Sequence, residues 1–220
     1  MTLAFFLENL QTDRLLYISW VTTLIVSITL HELAHGWAAL WQGDPTPRLS
    51  GHMTPNPLVH MGGMSLLLLF VVGLAWGMMP VDPSRFRSKY GDALVALAGP
   101  AMNVLLAIAA LVGLGLWIRW GGYAPDNTIA SNWQDFLWVF GLVNVLLAIF
   151  NLAPVPPLDG SRILGNFHQG YRRWMYQLTN PWMPFMIYFA AIMVLNRTPF
   201  GLWKVSGDVA NWMLALARGF

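Results

Sequence analysis

The chain has 220 residues, of which 56% are hydrophobic and only 10% are charged, with a formal net charge of +2. Soluble domains carry about 25% charged residues, so a water-soluble fold of this size would lack the charges to cover its surface. No basic cluster marks a nucleic-acid surface. The absence of cysteine excludes disulfides, thiolate metal sites and cysteine catalysis.

In chain order, residues 1–13 mix apolar and polar positions, as a short interfacial helix would. They lack the basic, apolar and small-residue pattern of a cleaved signal peptide. A long apolar helix is expected over 15–41, stopped by Gly43, Asp44 and Pro45. Residues 44–60 carry Pro45, Pro47, Pro55 and Pro57 and read as an irregular or β-hairpin-like insertion. The apolar run 61–79 either spans or is re-entrant, and 80–91 is a polar loop with Arg85, Arg87 and Lys89.

A helix over 93–120 is rich in Ala and Gly, which suits close helix packing in lipid. After a loop over 121–131, a further helix is expected over 133–151, with an extension over 152–160 broken by Pro154, Pro156 and Pro157. Residues 161–180 form a basic connection, 182–195 a shorter apolar segment, and 200–217 a mixed segment suited to the interface. The fold class is an all-α polytopic membrane protein with about five to six transmembrane or re-entrant segments, at ~20 apolar residues per crossing. No repeat is apparent, and 1–220 reads as a single membrane-embedded domain.

The first long helix holds His31, Glu32 and His35. A spacing of four puts both imidazoles on one helix face, one turn apart, where they can reach one metal ion. Glu32 sits beside them, able to take a proton from an attacking water. Ionisable groups inside a membrane span are costly and mark function. A catalytic zinc ion takes three protein ligands and leaves one position open. The other glutamate, Glu8, lies upstream, which excludes sites that use a downstream Glu ligand. The candidates for a third ligand are therefore Asp44, Asp82, Asp92, Asp126, Asp135, Asp159, Asp208, His52, His60 and His168. Asp159 follows proline-broken backbone, tolerated at membrane depth only against protein or a water-filled cavity. An ordinary helix exit at the membrane surface would look the same.

The pairing of His31-Glu32-Leu33-Ala34-His35 with Asn151, Pro154, Leu158, Asp159 and Gly160 resembles the site-2 protease family of intramembrane zinc metalloproteases. The run Ala98-Gly99-Pro100-Ala101-Met102-Asn103 resembles a further family element, and residues 51–60 resemble a loop of its compact prokaryotic members without appended soluble domains. His52 stands where that loop has Arg, and Gly62 where it has Asp. The resemblance implies a zinc metalloendopeptidase that hydrolyses a peptide bond in or near a transmembrane helix of a membrane-protein substrate. It implies one catalytic Zn²⁺ held by His31, His35 and Asp159, with Glu32 as general base and Asn151 polarising the scissile carbonyl. Asn103 is carried over only as a packing or site-lining residue. The rival is a zinc-binding membrane protein without protease activity, such as a transporter or a sequestering partner; a transporter would show paired or repeated broken helices, and no repeat is visible here.

Lys and Arg favour the cytoplasmic side. Arg85, Arg87 and Lys89 in one connection, and Arg162, Arg172 and Arg173 in another, place those loops and Asp159 towards the cytoplasm of a prokaryotic cell membrane. A re-entrant 61–79 then runs the first helix inward and sets His31 ~15 Å from its cytoplasmic end, with Arg14 outside as the counterweight.

Overall fold

The computed structural model describes residues 10–126, 128–177 and 201–219. The expected apolar segment 182–195, and most of the interfacial segment 1–13, lie outside the described residues. Among the described residues, three helices are long and apolar enough to cross a membrane: α1 (Arg14–Gln42), α4 (Gly91–Gly121) and α5 (Ile129–Asn151). The chain is an integral membrane protein.

Helix α1 starts where the Asp13 carboxylate accepts from Leu16 N at 3.0 Å. It stops at Gly43, whose φ of 96° lets the backbone turn left-handed and close on the last helical carbonyls. The insertion that follows carries no strand. It forms a helical turn, α2 (Thr46–Leu49), and a bend into α3 (Pro57–Val72), which Asn56 caps with Pro57 in the first turn. The hairpin-like alternative is therefore corrected. The insertion's prolines cannot donate to a ladder, and a buried carboxylate pins the segment instead. Asp44 accepts from Thr46 N at 3.0 Å and from Asp82 N at 2.7 Å.

Helix α3 kinks at Gly62 and ends at Gly73, both with positive φ. The chain then doubles back along it. Ser65 Oγ accepts from Trp76 N at 2.9 Å and donates to the Trp76 carbonyl at 2.8 Å, and Met78 N donates to the His60 carbonyl at 2.9 Å. The two ends of the 57–79 segment thus lie side by side. Its tip is fastened to α1, where Tyr17 Oη donates to the Phe70 carbonyl and Trp20 Nε1 to that of Gly73.

The three long helices pack up, down and up. Gln42 at the end of α1 accepts from Arg87 N and Ser88 N, just ahead of α4. At the other end Gln134 bridges back across the α4–α5 connection to Gly122 and Ala124. Among the described residues this packing gives two apolar clusters. Val21, Leu24, Ile28, Met61, Leu69 and Val143 fill the space between α1, α3 and α5. Ala107, Leu111, Val145 and Ala210 join α4 and α5 to α8 (Leu202–Arg218). The expected basic connection 161–180 is helical over its described part, as α6 (Asp159–Phe167) and α7 (Gln169–Tyr176), the latter capped by His168.

Candidate metal centre

The C-terminal half of α1 brings His31 and His35 to its α4-facing side, and the first residue of α6 comes to meet them. His31 Nε2 and His35 Nε2 lie 3.0 Å apart. Asp159 Oδ2 lies 3.1 Å from the first and 3.3 Å from the second. All three residues are buried. Ligand atoms at these separations are nearly equidistant from a point ~2 Å from each, the usual zinc-to-ligand distance.

The hydrogen bonds behind the rings decide which atoms face that point. His35 Nδ1 lies 2.6 Å from the Val95 carbonyl, an acceptor only, so Nδ1 carries the proton. His31 Nδ1 lies 2.6 Å from Asn103 Oδ1. The Asn103 amide is oriented in turn, because its Nδ2 donates to Asn144 Oδ1 at 2.9 Å. Asn144 Nδ2 donates to Ser27 Oγ and to the Phe140 carbonyl, both at 2.8 Å. Both imidazoles therefore present an Nε2 lone pair to the same point as a carboxylate oxygen. Three converging acceptors suit a cation, and neutral imidazoles oriented through Nδ1–H are the usual form of histidine metal ligands. The residues fit one metal ion.

Gly99 of α4 makes room for the two rings: a Cβ there would overlap the Nε2 atoms of both His31 and His35. Glu32, next to His31 on α1, is 7% exposed. The returning segment after α3 crosses it at Gly77, where a Cβ would sit 2.6 Å from Glu32 Oε1. The carboxylate lies under backbone so close that any side chain at position 77 would displace it.

The other sequence candidates stand apart from this cluster. Asp44 pins the insertion, Asp82 accepts from Ser84 and Arg85, and Asp92 pairs with Arg162. Among the described residues, Asp159 alone joins the two histidines. His60 is buried with Nε2 2.7 Å from the Thr54 carbonyl, and His52 stacks edge-on to it at 6.3 Å. Asn151, at the end of α5, donates its amide to the Leu147 carbonyl of its own helix at 3.0 Å. Sequence reasoning missed Asn144, Ser27, Gly77 and the roles of Gly99 and the Val95 carbonyl. The one visible signal was a polar side chain inside an apolar run, which in lipid calls for a partner.

The model of Peptidase family M50 matches residues 19–120 and 118–195. The chain belongs to that family. The M50 chain is 34% identical over 193 residues to "Putative zinc metalloprotease YwhC" of Bacillus subtilis, covering 84% of each protein. It is 29% identical over 141 residues to "Zinc metalloprotease MJ0392" of Methanocaldococcus jannaschii, which spans 64% of this chain and 32% of that one. It is likewise 29% identical over 144 residues to "Putative zinc metalloprotease Rip2" of Mycolicibacterium smegmatis, covering 52% of that protein. No solved structure gives a significant match. Membership of M50 bears out the resemblance to the site-2 proteases drawn from the two motifs.

Proposed function

We propose that the chain is an intramembrane zinc metalloprotease that hydrolyses a peptide bond in or near a transmembrane helix of a membrane-protein substrate. The observation that carries this reading is the convergence of His31, His35 and Asp159 with their lone pairs on one point, beside a buried glutamate. Zinc held there supplies the Lewis acidity that makes water a nucleophile near neutral pH.

The chain's own residues do the rest. Asn103 and the Val95 carbonyl hold the two imidazoles in the tautomer that binds metal. Glu32 takes the proton of the attacking water and later hands it to the leaving amine. Asn151 polarises the scissile carbonyl, a role that requires its amide to leave the Leu147 carbonyl. A helical substrate must unwind before its peptide bonds are accessible. Segments 44–60 and 61–79 are the candidates for holding the unwound segment as an added strand or for gating its entry. Arg48, Arg85, Arg87, Lys89, Arg172 and Arg173 lie on the connections at the site's end of the helices, which supports a cytoplasmic-facing site.

The test is Glu32→Gln with a candidate single-pass substrate co-expressed. Cleavage lost with zinc retained is expected. Cleavage at the wild-type rate removes Glu32 as the base, and a protein that binds zinc but never cleaves is the non-proteolytic alternative.

A further inference from the structure

The shortest helix of the site carries one of its three ligands. Asp159 is the first residue of α6, a helix of nine residues that follows three prolines. Nothing upstream in the helix holds it, so its direction depends on what its first turn touches. Gly160 packs on the Leu152 and Ala153 carbonyls at the end of α5. Ser161 Oγ donates to the Leu158 carbonyl at 2.7 Å, a local bond. The charged link to a membrane span is made by Arg162, one turn after Asp159. Its Nη2 lies 2.7 Å and its Nε 3.2 Å from Asp92 Oδ1 in the first turn of α4.

Asp92 belongs to a pattern. Along α4, residues 92, 95, 99 and 103 are spaced by three, four and four and share one helix face. Each serves a different part of the metal centre. Asp92 holds the helix of Asp159, the Val95 carbonyl holds His35, Gly99 leaves room for both rings, and Asn103 holds His31. An exposed ion pair contributes little to stability, but this one is about two-thirds covered, with side chains 27% and 31% exposed. Its place on the stripe gives it a reason beyond stability.

We propose that Arg162 and Asp92 are positioning residues for the ligand Asp159, so that one face of α4 aligns all three metal ligands. This rests on the His31–His35–Asp159 metal site proposed above. Outer partners of metal ligands change affinity by about 10–100-fold when removed.

The experiment uses the full chain purified in detergent micelles. Zn²⁺ affinity is read by competition with a chromophoric chelator, ligand geometry by the visible spectrum of the Co²⁺ form, and folding by melting of the metal-free protein. Arg162→Gln and Asp92→Asn are each expected to weaken zinc binding by about 10–100-fold. Both should shift the Co²⁺ spectrum towards that of Asp159→Ala, the double variant should bind no worse than either single, and the metal-free melting temperature should match wild type. Wild-type affinity and spectrum in the single variants overturn the proposal. So do losses that simply add in the double variant, or that appear only where melting falls. Where one variant does not fold, the other carries the same test. Asp159→Ala separates the two readings. If it binds zinc like wild type, the metal site itself is wrong; if it loses zinc while Arg162→Gln keeps it, only the clamp is.

Discussion

At the scale of single residues, the metal centre depends on who holds each imidazole. A buried histidine with a free Nδ1 can take either tautomer, and only one of them offers Nε2 to a metal. Asn103 selects that tautomer for His31, and Asn144 selects the face that Asn103 presents. Asn103→Leu is therefore expected to weaken zinc binding by about 10–100-fold, read by chelator competition. Asn144→Leu leaves the Asn103 amide without its acceptor, which costs about 1–3 kcal/mol for a buried unpaired donor, read as lowered stability of the metal-free protein. A milder loss of zinc affinity should accompany it. The sequence made His31, Glu32 and His35 legible, because three ionisable groups in five apolar-helix residues have no cheap packing explanation. It left Asn103 between two roles, since a polar residue in a span announces that it has a partner without saying which.

Among the elements, close approach matters more than side-chain chemistry. Gly99 lets α4 lie against the imidazoles of α1, and Gly77 lets the returning segment lie against Glu32. Gly99→Ala is expected to abolish zinc binding while the protein still inserts and folds, measured by metal content of the membrane-extracted protein. Gly77→Ala should retain zinc but lower cleavage by about 100-fold, because ~1 Å of displacement at a reacting group has that order of effect. Hydropathy read the elements unevenly. The spans expected over 15–41, 93–120 and 133–151 lie at Arg14–Gln42, Gly91–Gly121 and Ile129–Asn151. The last begins earlier because Thr128 and Ser131 form a reciprocal cap inside what read as loop. The run 61–79 is apolar but for Ser65, yet it turns at Gly73 and returns along itself. Apolar content is the same for a chain that crosses and one that doubles back, so only the left-handed glycine hints at the turn. The Asp92–Arg162 link was not legible, because its two residues lie 70 positions apart and nothing local pairs them.

At the largest scale, among the described residues, three antiparallel long helices and one doubled-back segment put residues 43–56 and 80–90 at the same end as Asp159, with the α4–α5 connection at the other. A chain without cysteine takes single reporters cleanly. Ser50→Cys and Ser84→Cys are expected to react with an impermeant thiol reagent from the same side of the membrane, and Ala124→Cys from the opposite side. Labelling of Ser50→Cys and Ser84→Cys from different sides would mean that 57–79 crosses. The Asn103–Asn144–Ser27 chain also has a meaning in time. It ties α1, α4 and α5 together behind a histidine that is synthesised about 130 residues before Asp159. At about 5–20 residues per second, the ribosome needs roughly 7–25 seconds to make what lies between. A chain within that interval lacks Asp159, the third ligand proposed above. A nascent chain arrested before residue 159 is therefore expected to be inserted, proteolytically silent and metal-free.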